Sequence, residues 1–174
     1  MTLSVPAPRR LRVGGRILAS AAGTFVLTVV AMLALLAIVP AVCMGWHVYT
    51  VQSGSMAPAI SRGDMLLASR SPSQHLAPGA VVVFRRSDHR IVSHRIVTTG
   101  PLGYVTRGDA NPSPDSDLVR PASVLGVGRV MVPYAGLPAV WWQQRDFAPL
   151  AVFAVVLVAA LVVAPVPKLR SRAT

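Results

Sequence analysis

Two stretches of the chain carry neither a charge nor a polar face. From Ile17 to Val42 the residues are mainly Ala, Val, Leu and Ile, and 147–166 repeats the pattern over 20 positions. About 20 apolar residues suffice to cross the hydrocarbon core, so the pattern predicts two transmembrane helices, 17–43 and 147–166. A secretory signal peptide shares the charge order of the first run, but its apolar region covers only about 7 to 15 residues and ends at a small-x-small site. The first run therefore reads as an uncleaved anchor. A buried C-terminal helix of a soluble domain would show a polar face, which the second run lacks. Trp141, Trp142 and Arg145 precede it, the mixture found at a membrane interface.

Between these runs the pattern changes. Short Val- and Ile-rich segments at 65–68, 80–85, 91–98, 103–107 and 124–132 alternate with Pro, Gly, Ser and Asp, as strands alternate with turns. No stretch between Val48 and Tyr134 keeps a 3.6-residue period. Residues 71–74 and 111–114 read as loops. The expected fold class is a small mostly-β domain flanked by two transmembrane α-helices.

Charge orients this arrangement. The 174 residues include 17 Lys+Arg and 6 acidic residues, a formal net charge of +11, which raises nucleic acid as a partner. Its distribution removes most of that reading. Arg9, Arg10, Arg12, Arg16, Lys168, Arg170 and Arg172 lie outside the two runs with no acid among them, and the positive-inside tendency puts both tails in the cytoplasm. The expected division is a basic tail at 1–16, a span at 17–43, an extracytoplasmic domain at 44–146, a span at 147–166 and a second basic tail at 167–174. The outer domain carries ten Arg against six Asp. Localisation is then a cell membrane, multi-pass, with lipid as a partner. Intrinsic disorder is excluded by 13% charged residues in a chain that is 53% hydrophobic. The single Cys43 cannot form an intrachain disulfide, and Val42 before it does not suit a lipoprotein cleavage box, so it reads as a membrane-embedded structural residue.

Reactive groups in the outer domain are few. It holds Ser55 within Gln52-Ser53-Gly54-Ser55-Met56-Ala57-Pro58, four His and six Asp; the chain has no Glu, and its only Lys, Lys168, lies beyond the second run. A serine hydroxyl needs a neighbouring base, usually His or a Lys of depressed pKa. A nucleophilic Ser55 must therefore rely on a His. His94 has the best context, since period-2 alternation sets it beside Val92 and Ile96 on the core-facing side of a strand; the same pattern also suits a satisfied, partly buried core histidine. His47 lies at the membrane exit, while His75 and His89 fall in polar turns. An imidazole base wants an orienting carboxylate on its other nitrogen, and Asp109, Asp115 and Asp117 follow one strand closely. That stretch also fits an Asp- and Pro-rich turn or a weak cation site. It is not an EF-hand, because the spacing differs and no Glu closes the cage. Nor is Ser55 in a Gly-x-Ser-x-Gly elbow, which disfavours an α/β-hydrolase.

At these positions the chain resembles signal peptidase I, in its endoplasmic-reticulum-type (archaeal and SipW-like) branch. The resemblance is carried, in the family's order, by Ser53-Gly54-Ser55-Met56-Ala57-Pro58, Gly63-Asp64, Ser93-His94-Arg95-Ile96-Val97, Arg107-Gly108-Asp109-Ala110-Asn111 and Gly126-Val127-Gly128-Arg129-Val130. It implies a membrane-bound serine endopeptidase, without metal or organic cofactor, that removes signal peptides from exported precursors after small residues. It makes Ser55 the nucleophile and His94 the general base in place of the Lys of the ordinary bacterial branch. Asp115 matches the third catalytic position, Asp109 a second acidic position, and Ser53 the side chain that joins the Ser55 N–H in the oxyanion hole. The family binds an extended substrate beside a strand, using shallow apolar pockets, for which Met56, Val82 and Phe84 are the expected walls. The implied partners are signal-peptide-bearing precursors, few or many, and the secretion machinery, with no nucleic acid. The competing expectation is a catalytically silent, membrane-anchored β domain acting as a binding or assembly module.

Overall fold

The computed structural model describes residues 9–70 and 76–164; the loop expected at 71–74, His75, Lys168, Arg170 and Arg172 lie outside the described residues. The chain forms helix α1 (Arg9–Met44), strands β1 (His47–Thr50), β2 (Met65–Arg70), β3 (Val81–Arg85), β4 (Ile91–Gly100), β5 (Gly103–Arg107) and β6 (Val124–Val132), then helices α2 (Leu137–Gln144) and α3 (Phe147–Val163). It divides into two units, one made of the chain up to Met32 and from Ala148, the other of Leu33–Phe147.

Helix α1, which belongs to the first unit as far as Met32, starts within the basic flank, ahead of the expected Ile17, and is long and apolar enough to cross a membrane. Helix α3 has 17 residues, fewer than the ~20 a span requires. Of the two expected spans, one is met in length among the described residues, while positions 165–166 of the other lie outside them. The two helices meet where side chains are smallest. A Cβ on Gly23 would stand 2.9 Å from the Ala160 carbonyl oxygen, so only glycine permits this approach.

The second unit is built on a six-stranded sheet in the order β1-β2-β6-β3-β4-β5, with every pairing antiparallel. The Val-Val-Val-Phe run of β3 is apolar without alternation because both its faces are covered. Val82 and Phe84 join a core with Ile96, Tyr104, Val124 and Val127, whereas Val83 joins a second core with Met56, Ile60 and Leu66. Gly126 serves strand contact, since a Cβ there would lie 2.7 Å from the Ser69 carbonyl oxygen.

Two elements escape the sequence pattern. Strand β1 spans only four residues, and α2 is a single short helix holding Val140 in the interior. Both bear on the site. Among the described residues β1 pairs only with β2, leaving its other edge open there. Strand β4 pairs with β3 from Ile91 onward, but its pairing with β5 begins at Arg95, so residues 91–94 also present an open edge.

Candidate active site

Ser55 sits in a chain of turns after β1, held from both sides. Next to it, Met56 is buried at 1% exposure and anchors the turn in the second core, and the Ile60 N–H closes it by donating to the Met56 carbonyl at 2.9 Å. From across the fold the Ala110 N–H donates to the Ser55 carbonyl at 2.9 Å. Gly108 comes so close that a Cβ would stand 2.5 Å from that same oxygen. The Gly108-Asp109-Ala110-Asn111 turn therefore fixes the backbone of Ser55.

His94 reaches the serine from the middle of β4. It pairs with Val82 in the sheet, is 6% exposed and meets the Phe84 ring edge-on at 6.3 Å between centroids. Its Nε2 lies 3.3 Å from Ser55 Oγ and its Nδ1 lies 2.6 Å from Asp115 Oδ2. Asp115 is set by its own backbone, whose N–H donates to the Thr106 carbonyl at 2.8 Å, and by the Thr106 hydroxyl, which donates to Oδ2 at 2.6 Å. Ser53 Oγ stands 3.3 Å from Ser55 Oγ. One hydrogen-bonded path thus runs Thr106, Asp115, His94, Ser55, Ser53. A serine hydroxyl, an imidazole and a carboxylate in this sequence can move a proton off the hydroxyl while the acid holds the ring.

The three Asp separate. Asp109 faces Arg95, which donates from Nε at 2.9 Å and from Nη2 at 2.6 Å, and from Nη1 to the Gly79 carbonyl. Hydrogen bonding from Arg95, reinforced by its charge, holds the Asp109 carboxyl below the usual carboxylate range, and the same bonds raise Arg95 above the ordinary guanidinium value. Asp117 accepts from Ser87 Oγ at 3.3 Å. Only Asp115 is hydrogen-bonded to His94. His47 is exposed and stacks on Tyr49, and His89 is exposed in a left-handed turn.

The expected substrate walls do not line the cleft beside Ser55. Met56, Val82 and Phe84 are 1%, 0% and 4% exposed, their side chains packed into the two cores. A cleft of about 530 Å³ does open beside Ser55, between Tyr49–Ser53 on one side and Ile91–Ser93 on the other, with Val83 and Gln143 also lining it. Thr106 is the residue that sequence reasoning missed. Its signal is period-2 alternation in β5, where Tyr104 and Thr106 share the inward face and a hydroxyl stands where a hydrophobe is usual.

No protein-family model matches the chain. Over 103 residues it is 30% identical to the signal peptidase complex catalytic subunit SEC11C of Homo sapiens, covering 52% of this chain and 54% of that protein. It is 40% identical over 77 residues to the signal peptidase complex catalytic subunit SEC11 of Metarhizium robertsii, covering 41% and 45%. With the SEC11 subunit of Plasmodium falciparum it shares 29% over 124 residues, covering 64% and 66%. These likenesses support an endoplasmic-reticulum-type, signal-peptidase-like family. The chain spans about half the length of the curated relatives it matches first.

Proposed function

We propose that the protein is a membrane-anchored serine endopeptidase that removes N-terminal signal peptides from exported precursors after small residues. The observation that carries this reading is the path from Ser55 Oγ through His94 to Asp115, at 3.3 and 2.6 Å. Serine–base contacts of this length are ordinary before substrate arrives.

Ser55 Oγ attacks the scissile carbonyl carbon as its proton passes to His94 Nε2, and Asp115 holds the imidazolium through Nδ1. The oxyanion is stabilised by the Ser55 backbone N–H and the Ser53 hydroxyl; each such donor contributes on the order of 3 kcal/mol to lowering the barrier. The C–N bond then breaks, and the Nε2 proton leaves with the new amine. Water, deprotonated by His94, attacks the resulting ester and frees Ser55. Asp109 acts at one remove: its Arg95 clamp steadies the turn whose Ala110 N–H holds the Ser55 carbonyl.

An extended peptide fits the cleft because both walls carry unsatisfied strand edges, the outer edge of β1 with its continuation to Ser53, and the 91–94 edge of β4. Substrate main chain supplies the missing partners there. In this reading α3 also lies in the bilayer beside α1, supported by the exposed Val152, Val155, Val158, Leu161 and Val162 around it, a surface that belongs in lipid. The basic flanks then keep both tails cytoplasmic and the sheet outside, at a cell membrane. The relatives are named as subunits of a complex, and we infer partner subunits from the secretion machinery for this chain too.

The test uses the full chain in detergent with a precursor bearing small residues before the cut. Cleavage is expected from the wild-type protein and lost in Ser55→Ala and in His94→Ala. Undiminished cleavage by Ser55→Ala overturns Ser55 as the nucleophile, and absence of cleavage by the wild-type protein overturns the proposal and leaves the anchored β domain as a binding module.

A further inference from the structure

Helix α2 contributes a side chain to the cleft beside Ser55. Gln143, near its C-terminal end, lines that cleft together with Gln52, Ser53 and Ser55. Gln52 Nε2 donates to Gln143 Oε1 at 2.6 Å across 91 residues of chain. The helix that carries Gln143 is seated independently of this bond. Val140 is buried at 2% exposure, Arg62 donates to the Gln144 side chain, and the Gly136 N–H donates to the Gly63 carbonyl at 2.9 Å. Gly63 receives Leu137 so closely that a Cβ would lie 2.4 Å from Leu137 Cδ2. Gln143 is thus presented by a fixed helix to the cleft that Ser55 also lines.

Each carboxamide offers one acceptor oxygen and one NH2 donor. A single bond between the two spends a donor of one and an acceptor of the other. Whichever way the amides are turned, one donor group and one oxygen remain available, and both side chains are exposed. This is the complement of one peptide unit, which offers a C=O and an N–H. Neither partner carries a charge that would select an acidic or basic side chain.

We propose that Gln52 and Gln143 form a substrate subsite that hydrogen-bonds the main chain of the extended peptide next to the scissile bond, making α2 part of the binding surface. This rests on the peptidase reading above. Because the ligand is backbone, the subsite contributes to binding regardless of sequence.

The experiment measures cleavage kinetics of full-length Gln143→Leu and Gln52→Leu in detergent, on at least three precursors differing in the residues around the cut. KM is expected to rise about fivefold to tenfold on every precursor, the worth of one or two hydrogen bonds, with kcat changed less than about twofold. Labelling of Ser55 by a small serine-directed phosphonate should match wild type, which a merely structural role would not predict if the serine turn shifted. The double variant should be no worse than about twofold beyond either single one, because the pair acts as a unit. Wild-type cleavage with KM unchanged in both single variants overturns the subsite alone. A KM rise confined to precursors with one particular side chain overturns the main-chain assignment. Absence of cleavage by the wild-type protein overturns the peptidase reading and the subsite with it.

Discussion

Replacing Thr106 by Val should lower catalysis without opening a cavity. Thr106 is wholly buried at 0% exposure, and its hydroxyl donates to Asp115 Oδ2 at 2.6 Å, the same oxygen that meets His94 Nδ1 at 2.6 Å. Valine keeps the shape of the side chain and removes the donor. A hydrogen bond to a charged group contributes about 1.5–3 kcal/mol, more than the typical neutral bond, because carboxylate charge strengthens it. Part of that is recovered if Asp115 rotates toward other donors, but rotation takes Oδ2 away from His94. The expected result is a fall of roughly 10- to 100-fold in kcat/KM, at about 1.4 kcal/mol per tenfold, with KM nearly constant. Thr106→Ser, which keeps the hydroxyl and drops one methyl, should recover most of the rate at a stability cost of about 1 kcal/mol. The assay is precursor cleavage at matched folded fraction, with melting followed in parallel. Full activity in Thr106→Val, or equal losses in the Val and Ser variants, would refute the reasoning that the hydroxyl sets the carboxylate.

Asp109→Asn should destabilise the fold by about 1 kcal/mol at neutral pH, a modest figure because Arg95 is 37% and Asp109 19% exposed in this pair and solvent screens it. The Asp109 carboxyl is held below its ordinary value in the folded state, so its contribution is complete above the ordinary carboxylate range and disappears as pH falls through the depressed folded value. Denaturant titrations of wild type and Asp109→Asn should therefore converge toward acid, and a gap that widens there would contradict the pairing. Gly108→Ala places a methyl 2.5 Å from the Ser55 carbonyl oxygen and 2.9 Å from Asn111 Nδ2. It should cost about 1–3 kcal/mol of stability and lower kcat more than it raises KM, both read from melting and cleavage kinetics.

The sheet was legible where its strands bury a face. Segments 80–85, 91–98, 103–107 and 124–132 correspond to β3, β4, β5 and β6 within a few residues, because Val and Ile in short runs between turn formers carry a local signal. Strand β1 gives none: His47-Val48-Tyr49-Thr50 is exposed to half-buried throughout and becomes a strand by pairing with β2. The Val-Val-Val-Phe run illustrates the opposite ambiguity. Its apolarity suits a groove wall as well as a doubly covered strand, and only the positions of the two cores decide for the second.

Residue chemistry by itself determined that a serine in the β domain would need a histidine, since sixteen Arg and one Lys beyond the second apolar run leave no amine base there. It also determined an apolar anchor ahead of a β domain, because transfer into lipid and strand formation depend on what a short window contains. Which Asp meets His94 was decided only by tertiary structure. Asp109 and Asp115 are six positions apart on one loop, and the β4–β5 register sets Arg107 beside Arg95, which takes Asp109, while Thr106 one residue earlier takes Asp115. The arrival of α2 at the cleft is of the same kind. A hydrogen bond between Gln52 and Gln143 joins positions too far apart for any local pattern to connect, and the packing of the whole sheet unit brings them together.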